Sequence, residues 1–316
     1  MTPTESASPL GDTEALETIL DFVRWAASRM DEHGVFLGHG TRSYLDEAAW
    51  LVLEGLRLPP DLGRDWWDAR LSADEKTEVI RLIERRCLEH IPTAYLLQRA
   101  WFMGRPFFVD ERVLIPRSPF GNLIEQDFHG LLDPGVRSGA ILDIGTGSGC
   151  IAIALAEHFP EATVVGSDID FGALSVAAHN VADYQLDDRV ELLQSDLLDQ
   201  LLDESGEPLL FDLIVSNPPY VDPEEAEDLP DEYHHEPADA LFAPDRGLAL
   251  VECLLDGAAG HLRPGGWIFV ETGNGRHGFD QRWPQHRGWW PELSPAPSSI
   301  VGFPREALSD WRGENR

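Results

Sequence analysis

From Ala140 onward the chain alternates short apolar runs with longer stretches of helical character, and this alternation limits the fold more than any other feature. The runs fall at 140–143, 162–167, 189–193, 211–216 and 266–271. Each suits one strand, and the segments between them can carry a helix back across a sheet, as parallel pairing requires. The pattern predicts an α/β fold with a doubly wound, mainly parallel sheet. Ser299-Ile-Val-Gly-Phe303 supplies a last, antiparallel edge strand. On open sheets of this kind ligands gather outside the carboxyl ends of the strands. Two motifs fall at such ends. Asp143-Ile-Gly-Thr-Gly-Ser-Gly149 follows Ala140-Ile-Leu142, and Asn217-Pro-Pro-Tyr220 follows Leu213-Ile-Val215.

Glycines at 145, 147 and 149 remove the Cβ atoms that keep a backbone away from a ligand. The run Ile151 to Leu155 then opens a helix, whose first N–H groups suit a polar or anionic group. Asp168 stands 19 residues past Gly149, where a Rossmann-like unit carries its ribose-binding acid. The loop alone leaves alternatives open. Gly147-x-Gly149-x-x-Ala152 also fits a dinucleotide fingerprint, so a nicotinamide enzyme and a plain glycine-rich turn both satisfy it. Asn217-Pro-Pro-Tyr220 separates them, because hydride transfer has no evident use for it. The Asn217 side chain offers a carbonyl, and Pro218 a carbonyl without a competing N–H. Together they present two acceptors to a planar NH2 group, with Tyr220 as a flat wall beside it.

With these motifs the chain resembles the class I methyltransferases that use S-adenosylmethionine to modify planar amino groups. It is most similar to the branch that methylates the side-chain amide of glutamine in translation proteins. Val113-Leu-Ile-Pro-Arg-Ser-Pro119 and Asp228-Leu-Pro-Asp-Glu-Tyr-His-His-Glu-Pro237 look like those of enzymes acting on protein three of the large ribosomal subunit. The sibling branch, acting on peptide chain release factors, usually reads Pro-Arg-Pro-Asp-Thr-Glu where this chain has Pro116-Arg-Ser-Pro-Phe-Gly121. The resemblance covers roughly residues 12 to 274. It implies S-adenosylmethionine in the crevice over Asp143, Gly145, Thr146, Gly147, Ser148 and Gly149. Asp168 would take the ribose hydroxyls, Asp196 the adenine amino group, Leu197 would border the base, and Asn217 would face both cofactor and substrate. Asp143 either attracts the cationic end of the cofactor or orders the loop through its backbone N–H groups. Catalysis is expected from Asn217, Pro218 and Tyr220, with Pro219 and Arg117 also binding substrate. Arg117 either holds the substrate loop or pairs with acids of segment 221–246. Two readings compete with this one: an adenine amino-methyltransferase, which must grip phosphates and extrude a base, and a binding module that keeps the fold without the chemistry.

Ahead of the sheet, helices are expected at about 12–30, 43–56 and 72–90. The first is capped by Asp12 or Thr13 and carries Leu16, Ile19, Leu20, Val23, Ala27 and Met30 on one face. Leu45, Ala49, Val52 and Leu56 line the second, and the third opens on the capping box Ser72-Ala-Asp-Glu75. Residues 1–92 thus read as a helical substrate-holding domain and 114–316 as the methyltransferase domain. Between them, 93–113 reads as a hairpin connector built from Ala94–Leu97, Trp101–Met103 and Pro106–Val109. Segment 221–246, long and acidic, reads as a substrate-facing lid. Its His234-His235-Glu236 lacks a third ligand at useful spacing, so no metal site is expected.

The chain carries 56 acidic against 24 basic residues, a net charge of −32, with Lys76 its single lysine. Such a surface repels nucleic-acid phosphates and favours a basic partner, as ribosomal proteins generally are. Stable nucleic-acid binding is not expected. Acid excess with few lysines also keeps a protein soluble in strong salt, and both readings stand. Cys87, Cys150 and Cys253 form no C-x-x-C pair, which fits a reducing cytoplasm. No stretch nears the roughly 18 apolar residues of a membrane span, and Met1 to Pro9 lacks the pattern of a secretion signal.

Overall fold

The computed structural model describes residues 8–273, 276–293 and 299–313. Most of the Met1 to Pro9 reading, and 294–298 of the tail, lie outside these. The chain forms two compact units: Met1–Ala100 with Pro230–His235, and Trp101–Leu229 with Glu236–Arg316. Among the described residues no helix is long and apolar enough to cross a membrane.

The first unit is helical: α1 (Ile19–Glu32), α2 (Tyr44–Gly55), α3 (Ala73–Leu88) and α4 (Thr93–Leu97). The capping box of α3 forms as read, Ser72 and Glu75 each bonding the other's backbone N–H. The start of α1 differs from the expected one. Thr18 and Asp21 form a complete capping box, and that cap, rather than Asp12 or Thr13, sets the helix origin. The buried stripe of α1 runs through Ile19, Phe22, Val23, Ala26 and Met30, so Leu20 falls off it and is 48% exposed. The stripe of α2 runs through Ala48, Leu51 and Val52 and leaves Leu45 59% exposed. Ala94–Leu97, read as β-prone, is helical: Pro92 starts the turn and Gln98, in the left-handed region, ends it.

A buried polar group ties this unit together. The Arg86 guanidinium donates to Glu47 Oε1 at 2.9 Å, to Glu232 Oε1 at 2.8 Å and to the Phe36 carbonyl at 2.9 Å. The Thr93 hydroxyl adds a bond to Glu47 at 2.7 Å, and the Phe36 N–H one to Glu232 at 2.8 Å. Glu232 fixes Pro230–His235 in the unit, although the rest of its segment belongs to the other. Segment 221–246 as a whole is less loop-like than its prolines imply. It folds into 3-10 turns at Pro223–Asp228, Asp231–His235 and Pro244–Gly247 and the short helix α8 (Ala238–Leu241). Pro223 and Pro244 open two of these turns, where a missing N–H costs nothing.

Strand β1 (Ala100–Phe102), whose first residue still belongs to the first unit, pairs with β2 (Arg105–Phe107) of the second, and α5 (Phe120–Glu125) follows. The sheet of the second unit comprises β3 (Ala140–Ile144), β4 (Thr163–Asp168), β5 (Val190–Gln194), β6 (Phe211–Ser216), β7 (Leu262–Glu271) and β8 (Ile300–Pro304). Their order is β5-β4-β3-β6-β7-β8, all parallel except β8, which runs antiparallel to β7. The doubly wound prediction holds, including the antiparallel edge. Helices α6 (Cys150–His158), α7 (Phe171–Asp183) and α9 (Leu248–Ala258) cover the faces. Alternate strand residues fill two cores. Ile141, Leu213, Val215 and Phe269 face α6, while Leu142, Ile214, Ile268 and Val270 face α9. In the tail, α10 (Arg276–Arg282) places Phe279 in the second core with Trp283 and Trp311 around it, the rings 4.8 and 6.0 Å from Phe279.

Candidate active site

Strand order reverses between β3 and β6, and a doubly wound sheet opens its ligand crevice at such a reversal. Ile144 and Ser216 are register partners at the two tips, and the Ser216 hydroxyl donates to the Ile144 carbonyl at 2.9 Å. The next residue on one strand is Gly145, on the other Asn217. A Cβ added to Gly145 would lie 3.8 Å from the Asn217 carbonyl oxygen. The two motifs therefore border one crevice.

On the glycine side, Gly145, Gly147 and Gly149 all have positive φ, between 54° and 79°, a region L-residues with a Cβ rarely enter. Asp143 orders the turn from beneath. Its Oδ2 accepts from the Thr146 hydroxyl at 2.7 Å and from the Ala152 N–H in the first turn of α6 at 3.1 Å. Its Oδ1 is buried and has no partner. Burial pushes the Asp143 carboxyl up to about 7, against the opposing pull of Thr146 and the Ala152 N–H. Of the two roles read for Asp143, loop ordering is thus visible in one oxygen, and the other oxygen remains available. Asp168 ends β4. It accepts from the Gly147 N–H at 2.9 Å and the Asp170 N–H at 3.0 Å, and burial raises its carboxyl above the usual range. Asp170 caps α7 through the Gly172 N–H. The Ser195 N–H donates to the Asp168 carbonyl at 3.0 Å and brings the tip of β5 alongside. Asp196 is exposed there, and Leu197 follows in the left-handed region.

On the other side, the Asn217 Oδ1 is buried with no hydrogen-bond partner. An acceptor taken out of water without a donor costs about 1–3 kcal/mol. A ligand N–H in the crevice would remove that cost. Pro218 is buried, and Pro219 and Tyr220 are half-buried. The Tyr220 hydroxyl donates to Glu271 Oε1 at 3.2 Å. Arg117 grips Glu236 with both terminal nitrogens, at 2.5 and 2.6 Å, and Glu236 also accepts from the Ile115 N–H at 3.0 Å. Of the two roles read for Arg117, pairing with an acid of segment 221–246 is the one seen. His235 bonds the Glu89 carbonyl, so His235 and Glu236 serve different partners.

Two residues at the site escaped the sequence reading. Asn180 of α7, buried, donates to the Ser148 carbonyl at 2.8 Å and exchanges bonds with both backbone groups of Phe108, fixing the glycine loop from behind. Its signal was an amide between the apolar Ala177 and Val181. Glu271 is the other, an acid closing the apolar run Ile268-Phe-Val270.

S-adenosylmethionine fits this donor set. Asp143 Oδ1 is an unpartnered acceptor that would suit a cationic end, Asp168 is a carboxylate that would suit a diol, and the left-handed glycines leave no side chain in the way. Residues 129–241 match the family model described as Methyltransferase small domain. The chain is 43% identical over 295 residues to the ribosomal protein uL3 glutamine methyltransferase of Neisseria meningitidis serogroup B, spanning 93% of this chain and 95% of that one. The enzymes of the same description from Neisseria gonorrhoeae and Bordetella pertussis are 41% and 40% identical, with 93% and 94% of this chain and 97% and 98% of theirs covered. At that identity over nearly the whole length, the chain belongs to the family of the ribosomal protein uL3 glutamine methyltransferases.

Proposed function

We propose that this chain transfers a methyl group from S-adenosylmethionine to the side-chain amide nitrogen of a glutamine in ribosomal protein uL3, in the cytoplasm. The kinship to uL3 enzymes supports the substrate. The observation that carries the chemistry is the buried, unpartnered Asn217 Oδ1 beside the glycine loop. S-adenosylmethionine, held over residues 145–149 by Asp143, Asp168, Asp196 and Leu197, supplies an electrophilic methyl group.

The amide nitrogen is a weak nucleophile because its lone pair is delocalised into the carbonyl. Asn217 Oδ1 accepts one amide N–H and the Pro218 carbonyl the other, which fixes the plane and direction of the nitrogen. As the nitrogen gains a bond its N–H groups become more acidic, so both acceptors bind more strongly at the transition state than before it. Tyr220 walls the amide plane and Pro219 stiffens the turn. No strong base is needed, since the alkylated amide sheds its proton readily. Arg117, through Glu236, holds the chain bordering the substrate side.

The net charge of −32 favours a basic protein partner and opposes nucleic-acid phosphates. Incubation with methyl-labelled S-adenosylmethionine and, separately, unmethylated uL3, a release factor and DNA tests the reading. Label on a glutamine of uL3, located by tandem mass spectrometry, is the expected result. Label confined to the release factor, or DNA labelling that falls steeply with salt, would overturn it.

A further inference from the structure

Glu271, at the carboxyl end of β7, is 3% exposed. Both its oxygens are engaged by hydroxyls: Ser118 donates to Oε2 at 2.6 Å and Tyr220 to Oε1 at 3.2 Å. The Ser118 oxygen also accepts from the Phe120 N–H in the first turn of α5, which directs its own proton toward Glu271. Two residues further along β7's exit, a Cβ on Gly273 would lie 2.4 Å from the Tyr220 ring. The ring is therefore pressed on one side by the backbone at 273 and tethered at its hydroxyl by Glu271.

A carboxyl in such a place is costly to bury, and the fold alone does not call for it. Burial pushes it up to about 7, against the pull of Ser118, Tyr220 and nearby Arg117. As a carboxylate, Glu271 accepts from both hydroxyls at once; an amide offers one acceptor and an NH2 donor in place of the second, so one hydroxyl must turn its proton away and accept instead.

We propose that Glu271 is a positioning residue for methyl transfer: through the Tyr220 hydroxyl it sets the angle of the ring against the carboxamide that Asn217 holds. The catalytic half of this inference rests on the glutamine methyltransferase reading; the hold on the ring does not.

Steady-state methylation of uL3 by the full chain, at saturating S-adenosylmethionine, compares wild type, Glu271→Gln, Tyr220→Phe and the double variant. Each single change should lower kcat about tenfold with KM for S-adenosylmethionine unchanged, since both loosen the same ring. The double variant should be no slower than the slower single, the mark of two residues acting as one unit. Losses that multiply to about a hundredfold, or that fall on KM alone, overturn the proposal. If Glu271→Gln does not fold, Tyr220→Phe decides: unchanged kcat overturns it.

A second measurement needs no substrate. With 3-fluorotyrosine at the five tyrosines, the fluorine line missing in Tyr220→Phe belongs to Tyr220. That line should shift or broaden in Glu271→Gln, and more than the other four lines; an unmoved line overturns the proposal. Were wild type inactive on uL3, the substrate reading would fall, and the fluorine line would still decide whether Glu271 holds the ring. The line is read in the purified full chain, and Ser118→Ala, which frees Glu271 Oε2 from the other side, should move it in the same assay.

Discussion

Gly247 opens α9 with φ of +72°, and its backbone lies directly against the Asn217-Pro-Pro-Tyr220 turn. A Cβ built there would sit 2.3 Å from the Pro219 carbonyl oxygen and 2.9 Å from the Tyr220 Cα. Both obstacles are backbone, so no side-chain rotation relieves them. To restore ordinary contact, Gly247→Ala must drive the turn and α9 apart by about 1 Å. Left-handed geometry adds about 1–2 kcal/mol of strain for alanine. The Pro218 carbonyl and the Tyr220 ring move with the turn, and a misplacement of about 1 Å at a reacting centre costs about a hundredfold in rate. Residues 145–149 are untouched, so affinity for S-adenosylmethionine should stay within about threefold. Steady-state kcat on uL3, titration calorimetry with S-adenosylmethionine and a thermal melt separate these effects. A kcat within threefold of wild type would refute the reasoning. So would a loss of kcat matched by an equal loss of cofactor affinity.

Three further outcomes are expected. Asp143 holds its proton up to about 7 when folded and loses it near 3.8 when unfolded, so raising pH between those values favours the unfolded chain. Urea unfolding of the protein without ligand should show wild type losing about 2 kcal/mol relative to Asp143→Asn between pH 5 and pH 7; a constant difference would contradict this. Arg86→Met strands Glu47 and Glu232 in the interior, and should cost about 3–5 kcal/mol in urea unfolding, against less than about 1 kcal/mol if the network is dispensable. Asp168→Ala should weaken S-adenosylmethionine binding about 10- to 100-fold by calorimetry, the worth of charge-assisted bonds to a diol; unchanged affinity would remove Asp168 from the site.

The sheet was legible because its strands are buried on both faces and so carry uninterrupted apolar runs, Leu213-Ile-Val215 being the plainest. Both motifs were legible for the same reason, since each stands where such a run stops. The start of α1 was not, because Asp12, Thr13 and Thr18 all carry capping chemistry and only packing selects Thr18. Leu20 and Leu45 show the same limit: periodicity names a stripe but not its edges. Ala94–Leu97 has strand-like composition, yet five residues after a proline are too few for propensity to decide. The partner of Arg117 was one of several acids in segment 221–246, and its choice of Glu236 depends on a long-range approach no local pattern encodes. Glu271 and Asn180 were hidden because a single polar residue in an apolar run looks alike whether it binds its neighbours or faces solvent.

The most direct test is Asn217→Ala in the full chain, assayed for kcat on uL3 and for S-adenosylmethionine affinity by calorimetry. Removing one preorganised partner of the reacting group should lower kcat about 10²- to 10³-fold while the protein stays folded and cofactor affinity changes little. Full methyl transfer by Asn217→Ala would show that the carboxamide is held elsewhere.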